Sequence, residues 1–214
     1  MLIENIILKS SFKTMRGFNF AHINPGSLLS NFDEFKNIFK DVPLDLIAIS
    51  ESWLKNKHND ALVNLPGYNF LRKDRHGRRV GGVLTYIKST VKFNIVTKNA
   101  PTALFDMMFI EISLTSGSKL LVGIVYIPPK IKFLDQFSNV LANYVANYND
   151  IIILGDFNID ILSNGNHANN LKLLFNRHGL SLASDFPTNF SKNNCTCIDL
   201  LKKFPMAQSS HHLM

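Results

Sequence analysis

Short apolar runs and broader apolar stripes alternate along the chain, and their spacing predicts the elements. Phe18 to Ile23 alternates as a strand does, sending successive side chains to opposite faces. Leu28, Phe32, Phe35 and Phe39 then recur at helical spacing, which predicts a helix that Pro43 brings to an end. Leu46-Ile47-Ala48-Ile49 predicts a buried strand. Tyr68 to Leu71, Gly82 to Lys88, Met107 to Leu114 and Leu120 to Tyr126 are β-prone and separated by polar or glycine-containing turns such as Ser116-Gly117-Ser118, a pattern of antiparallel pairing. A second helix follows Pro129, with Phe133, Phe137, Val140, Leu141 and Tyr144 on one side. Ile151 to Leu154 is wholly apolar and predicts a strand buried on both faces. A third helix near His167 to His178 carries Leu171, Leu174 and Phe175 and meets Gly179 as its C-terminal cap.

No internal repeat, low-complexity tract or Pro/Gly/Ser linker divides this series, so a single domain is expected. The elements predict an α/β fold of two packed, mostly antiparallel β-sheets flanked by helices, a four-layer αββα sandwich. Residues 1–15 precede the first strand and read as an N-terminal extension, and 16–214 as the domain. With 46% hydrophobic residues, 17 Phe and 18% charged residues, the chain can bury a sizeable core, which excludes disordered and collagen-like classes. No apolar window approaches the roughly 18 residues a membrane span needs, and Glu4 and Asn5 interrupt the apolar start Met1-Leu2-Ile3. Neither a span nor a secretory signal is expected, and the reading is an intracellular protein. Cys195 and Cys197 lie one residue apart, too close for an ordinary disulfide, and read as a reduced pair on one face of a strand.

Charge narrows the partners. The formal net charge of +7 and a pI near 9.4 favour polyanions such as nucleic acid or phosphorylated ligands. The segment Ile151-Ile152-Ile153-Leu154-Gly155-Asp156-Phe157-Asn158 carries an apolar strand into an acid and an amide that would point the same way at a sheet rim. A carboxylate that orients or deprotonates water beside an amide that donates to a phosphate oxygen suits phosphoester hydrolysis, although an Asx turn would use the same residues. Glu51 follows the strand Leu46 to Ile49, at the strand end where open α/β sheets hold ligands. Mg²⁺ is commonly held by one or two carboxylates with water and phosphate, so Glu51 is a candidate ligand or else a solvated rim acid. Asn24, Tyr126, Thr188 and Asp199 likewise fall at strand ends or in the loops beyond them, where turn roles would also account for them. The basic run Leu71-Arg72-Lys73-Asp74-Arg75-His76-Gly77-Arg78-Arg79 is either a phosphate grip, through Arg72, Lys73, Arg75, Arg78 and Arg79, or a solvated hairpin loop. Gly81-Gly82 leads into a strand and no helix, so it is not a phosphate-cradling P-loop.

The order of these residues resembles the endonuclease/exonuclease/phosphatase superfamily, and most closely the endonuclease domain of non-LTR retrotransposons, including the jockey-type elements of insects. The matching phrases are His22-Ile23-Asn24, Ile47-Ala48-Ile49-Ser50-Glu51-Ser52-Trp53-Leu54, Gly67-Tyr68 leading to Arg72-Lys73-Asp74-Arg75, Gly81-Gly82-Val83, Val125-Tyr126-Ile127-Pro128-Pro129, Gly155-Asp156-Phe157-Asn158, Pro187-Thr188 and Ile198-Asp199. The resemblance implies a DNA endonuclease that depends on Mg²⁺, or Mn²⁺ in its place, and that would be nuclear when functional. Glu51 would hold the metal with help from Asn24, Asp156 would position the attacking water, Asn158 and Tyr126 would contact the scissile phosphate, and Thr188 would touch the DNA backbone.

Asp199 would orient the histidine of a closing Ser-Asp-His motif. This sequence departs from the pattern there, because Gln208-Ser209-Ser210-His211-His212-Leu213-Met214 has no Asp before a His. The expectation is a domain incomplete at its C-terminus, with the last strand missing and His211 or His212 as the substitute. Ile127 is a second departure, since the element endonucleases often carry Arg there. No reverse transcriptase portion is expected in these residues. The alternatives are a catalytically inactive nucleic-acid-binding remnant and a phosphatase of the same superfamily.

Overall fold

Alternation along each strand decides which side chains meet between the sheets and which meet the helices. A computed structural model of the chain describes residues 17–78, 80–98, 104–182, 189–191, 194–196 and 201–203. The first sheet is built from β1 (Phe20–Ile23), β2 (Leu46–Ser50), β3 (Tyr68–Lys73) and β4 (Val83–Lys88) in the order β1-β2-β4-β3. Only its β1–β2 pair is parallel. The second sheet contains β5 (Phe93–Lys98), β6 (Asp106–Ser113), β7 (Lys119–Tyr126), β8 (Asp150–Asp156), β9 (Ser181–Leu182) and β12 (Leu201–Lys203) in the order β5-β6-β7-β8-β12-β9. Here β7 and β8 run parallel and the other pairs antiparallel. A separate hairpin joins β10 (Asn189–Ser191) to β11 (Asn194–Thr196).

Even-numbered residues of β6, β7 and β8, among them Met108, Ile110, Ile124 and Leu154, pack between the sheets against Leu46, Ala48, Val83 and Ile87. Odd-numbered residues of the same strands, such as Phe109, Val125 and Ile153, face α2 (Leu134–Val145) and α3 (Asn166–Arg177). On the far side of the first sheet, Ile47, Ile49, Leu84 and Tyr86 take Phe35 and Phe39 of α1 (Phe32–Phe39). The result is the expected four-layer sandwich of helix, sheet, sheet and helices. Each helix buries the stripe its spacing predicts, and Gly179 adopts the left-handed φ of +66° that ends α3.

The strand β5 is not among the expected elements. It lies at the edge of its sheet, breaks register between Ile95 and Thr97, and leaves Ile95 exposed, so its sequence carries little alternation. No helix among the described residues is long and apolar enough to cross a membrane.

Candidate active site

The core between the sheets turns polar at one end. Asp106, Tyr126 and Asp156 are register partners on β6, β7 and β8, so they form one row across the second sheet, on the side that faces the first. The facing row of the first sheet is Lys73, Val83 and Ser50. Just beyond it, β1 and β2 end at neighbouring positions and deliver Asn24 and Glu51 to the same rim.

Three residues from distant parts of the chain meet there. The Asn24 Nδ2 donates to Glu51 Oε1 at 3.2 Å and to Asp156 Oδ2 at 2.9 Å. Its own Oδ1 accepts from the Gly26 N–H at 3.1 Å, which fixes the amide. Glu51 also accepts from the Trp53 indole, Nε1 to Oε2, at 3.0 Å, and its charge reaches the Tyr126 phenol. Asp156 Oδ1 accepts from the Asn158 N–H at 2.8 Å, and the Asn158 Nδ2 donates to the Ile127 carbonyl at 2.8 Å. The Asx turn expected at this strand end therefore forms, and the same residues also build the rim. Burial, followed by the charges of Glu51 and Asp156, pushes the Tyr126 phenol well above its usual range, so it stays a hydrogen-bond donor.

The backbone accepts strain to make this arrangement. Glu51, Trp53 and Asn158 have φ of +53°, +54° and +50°, the left-handed region that non-glycine residues rarely adopt. Flanking hydrogen bonds fix the first two. The Ser27 N–H reaches the Glu51 carbonyl at 3.1 Å, the Leu28 N–H the Ser52 carbonyl at 3.0 Å, and the Trp53 N–H the Gly81 carbonyl at 2.9 Å. Gly155 permits β8 to reach the rim beside β7, because a Cβ there would overlap the Val125 carbonyl. Phe157 then turns to the helix side and packs on Phe137 and Phe175 with ring centroids 5.7 and 5.5 Å away, which anchors the segment between Asp156 and Asn158.

The donor set fits a hard divalent cation. Two carboxylates converge and offer the oxygen ligands that Mg²⁺ and Mn²⁺ prefer, whereas Asn24 turns its Nδ2 to them and keeps its Oδ1 on the Gly26 N–H. Among the described residues no cluster of three or more His, Cys, Asp or Glu forms. Glu51 would hold such an ion, and Asn24 would join it once its amide turned to present Oδ1.

The basic run is divided by the fold. Lys73 and Arg75 do not sit on a loop surface: both are buried and paired with Asp106, Arg75 Nη1 reaching Oδ2 at 3.2 Å. A cation held in a buried pair is not presented to a ligand in solvent. Arg72 is tied to Asp60 at 3.2 Å and donates to the His58 carbonyl at 3.2 Å. Arg78 is exposed and joins Lys55, Lys57 and His76 around a groove of about 520 Å³. Arg79, Thr188, Asp199, His211 and His212 lie outside the described residues.

Two residues of this rim have no role that sequence alone assigns. Trp53 is visible there only as part of a phrase, and Asp106 is hidden because it stands at the start of a mainly apolar strand. A signal exists for the second: counting outward from the turn at Ser116-Gly117-Ser118 places Asp106 opposite Tyr126, as the register has it.

The family model described as "Endonuclease/Exonuclease/phosphatase family" matches residues 18–201. The chain belongs to the endonuclease/exonuclease/phosphatase family. Its fold is similar to the 3′ phosphatase NExo from Neisseria bound to a product DNA hairpin, with 18% identity over 88% of this chain and 87% of that one and a TM-score of 0.63. The 3′-5′ exonuclease NExo from Neisseria meningitidis is similar at 17% identity over 87% of this chain and 86% of that one, TM-score 0.61. The Xenopus laevis APE2 catalytic domain matches at 14% identity over 87% of this chain and 82% of that one, TM-score 0.61. At such identities the likeness establishes the fold, and the activities of these relatives already span phosphatase and exonuclease. No curated protein matches the sequence.

Proposed function

We propose that the chain is a Mg²⁺-dependent DNA endonuclease domain of non-LTR retrotransposon origin, which nicks a phosphodiester at its target. The observation that carries the reading is the Asn24 amide held between Glu51 and Asp156, three residues that no local feature of the sequence would bring together. The phrases around them resemble the element endonucleases, and the charge of +7 suits a polyanionic substrate.

Bound by Glu51 and Asn24, the divalent cation would supply charge neutralisation for the phosphate and for the oxygen that leaves. The chain's own residues do the rest. Asp156, fixed by the Asn158 N–H and the Asn24 amide, orients a water for attack on phosphorus and accepts its proton. As the new P–O bond forms, the bond from phosphorus to the leaving sugar oxygen breaks. Asn158 spends one amide hydrogen on Ile127 and keeps the other for a phosphate oxygen. Tyr126, held protonated, is a second donor to the same group. Thr188 contacts the DNA backbone in this proposal, and Asp199 orients His211, with His212 as its substitute, towards the phosphate. Arg78 of the exposed groove adds phosphate contacts that position the duplex without reading its sequence.

The test is conversion of supercoiled plasmid to the nicked form. Wild-type protein in Mg²⁺ should nick, and Glu51→Ala should lose about 100-fold or more of that rate. Equal nicking by the two proteins would count against the assignment. Salt-sensitive DNA binding without any Mg²⁺-dependent product would favour the inactive remnant. The family's phosphatase relatives make a second outcome specific: turnover of a soluble phosphate ester with no plasmid nicking would favour a phosphatase.

A further inference from the structure

Beneath the rim lies a charged group that the proposed reaction does not use. Asp106 is fully buried and carries ion pairs to both Lys73 and Arg75, together with a hydrogen bond from the Gly82 N–H at 2.9 Å. Such a group is a poor device for stability alone. Removing three charges from water usually costs as much as their attraction returns, and apolar residues of similar volume would hold the two sheets together at least as well.

Its position is more informative. Asp106 stands beside Tyr126 in the row that continues to Asp156. Around Gly81 the same groups close in. A Cβ there would lie 2.6 Å from Arg75 Cδ, 2.9 Å from Asp106 Oδ2 and 3.3 Å from Tyr126 Cε1. The Tyr126 phenol feels the charges of Glu51, Asp156 and Arg75 together, so all three lie within electrostatic reach of one ring. Arg75 and Lys73, joined through Asp106, therefore belong to the same polar end of the interior as the carboxylates that would hold a divalent ion. Free to choose, they would pair with those carboxylates and occupy the ion's place.

We propose that Asp106 is a positioning residue. It holds Lys73 and Arg75 as counter-ions, keeps them off Glu51 and Asp156, and so leaves that pair open to the divalent cation. The inference rests on Glu51 being the metal-holding residue, and its test separates the two claims.

Trp53 is the only tryptophan of the chain, and its indole N–H donates to Glu51 Oε2, so its fluorescence reports an ion arriving at that carboxylate. The full chain is titrated with Mn²⁺. Wild type should show saturable quenching that Glu51→Gln abolishes, and quenching left intact by Glu51→Gln would overturn the metal reading and this inference with it. With the wild-type signal established, Asp106→Asn should weaken Mn²⁺ binding by about tenfold or more, the effect of a cation moved beside a carboxylate. Adding Lys73→Met should recover part of that loss, which no merely structural role of Asp106 predicts. An unchanged Mn²⁺ affinity in Asp106→Asn, or no recovery on adding Lys73→Met, overturns the inference while the metal reading stands. Should Asp106→Asn fail to fold, Lys73→Met is compared with the Lys73→Met/Asp106→Asn pair, which releases Arg75 alone. Weaker binding in the double variant supports the inference, and equal binding overturns it.

Discussion

Glu51, Trp53 and Asn158 sit in left-handed backbone that costs each of them about 1 kcal/mol or more. The flanking groups that maintain it are therefore part of the site. Phe157 is the clearest of them, since its ring fills the space between Phe133, Phe137 and Phe175 while its neighbours face the rim. Phe157→Ala should lower stability by about 3–5 kcal/mol in urea unfolding and disturb the placement of Asp156. A loss below about 1 kcal/mol would contradict the anchoring role. At this scale sequence serves where a polar residue follows directly on an apolar strand, as with Glu51 and Asp156. It fails for Lys73, Arg75 and Asp106. Charge read along one loop suggests a phosphate grip, whereas the ion pairs run from one sheet to the other and follow only from their packing.

The helices act as a clamp on the second sheet, and α2 is tied to the end of α3 by one titratable contact, His178 Nε2 with Ser138 Oγ at 2.9 Å. Burial lowers the His178 pKa, so the folded state binds a proton less readily than the unfolded chain. Its contribution to stability is complete above the unfolded value of about 6.5 and is lost as pH falls through the folded value. Urea midpoints measured from about pH 7.5 down to about pH 5 should fall more steeply for wild type than for His178→Gln. Parallel pH profiles would contradict it. Helix spacing is legible because a packed stripe repeats turn after turn. The edge strand β5 is not, because it is paired on one side only and its register slips.

For the whole molecule, the two-sheet architecture places the strand ends that carry Asn24, Glu51, Tyr126 and Asp156 at one end of the interior between the sheets. That convergence is expected from residue order, but the link between Asn24, Glu51 and Asp156 requires the sheets to be packed in a particular register. In the proposed function the exposed cationic groove would give DNA binding a salt dependence. Arg78→Ala should reduce the slope of log affinity against log salt by about 0.9 for each phosphate that the arginine neutralises, equally for unrelated sequences. A sequence-dependent loss would instead assign Arg78 to base readout. The central claim is that Glu51 and Asp156 act as one unit, and residues acting as one unit lose activity non-additively. Plasmid nicking rates for Glu51→Ala, Asp156→Ala and the double variant measure this directly. The account predicts that the double variant is no slower than the slower single one, and a double loss equal to the product of the two single losses would contradict it.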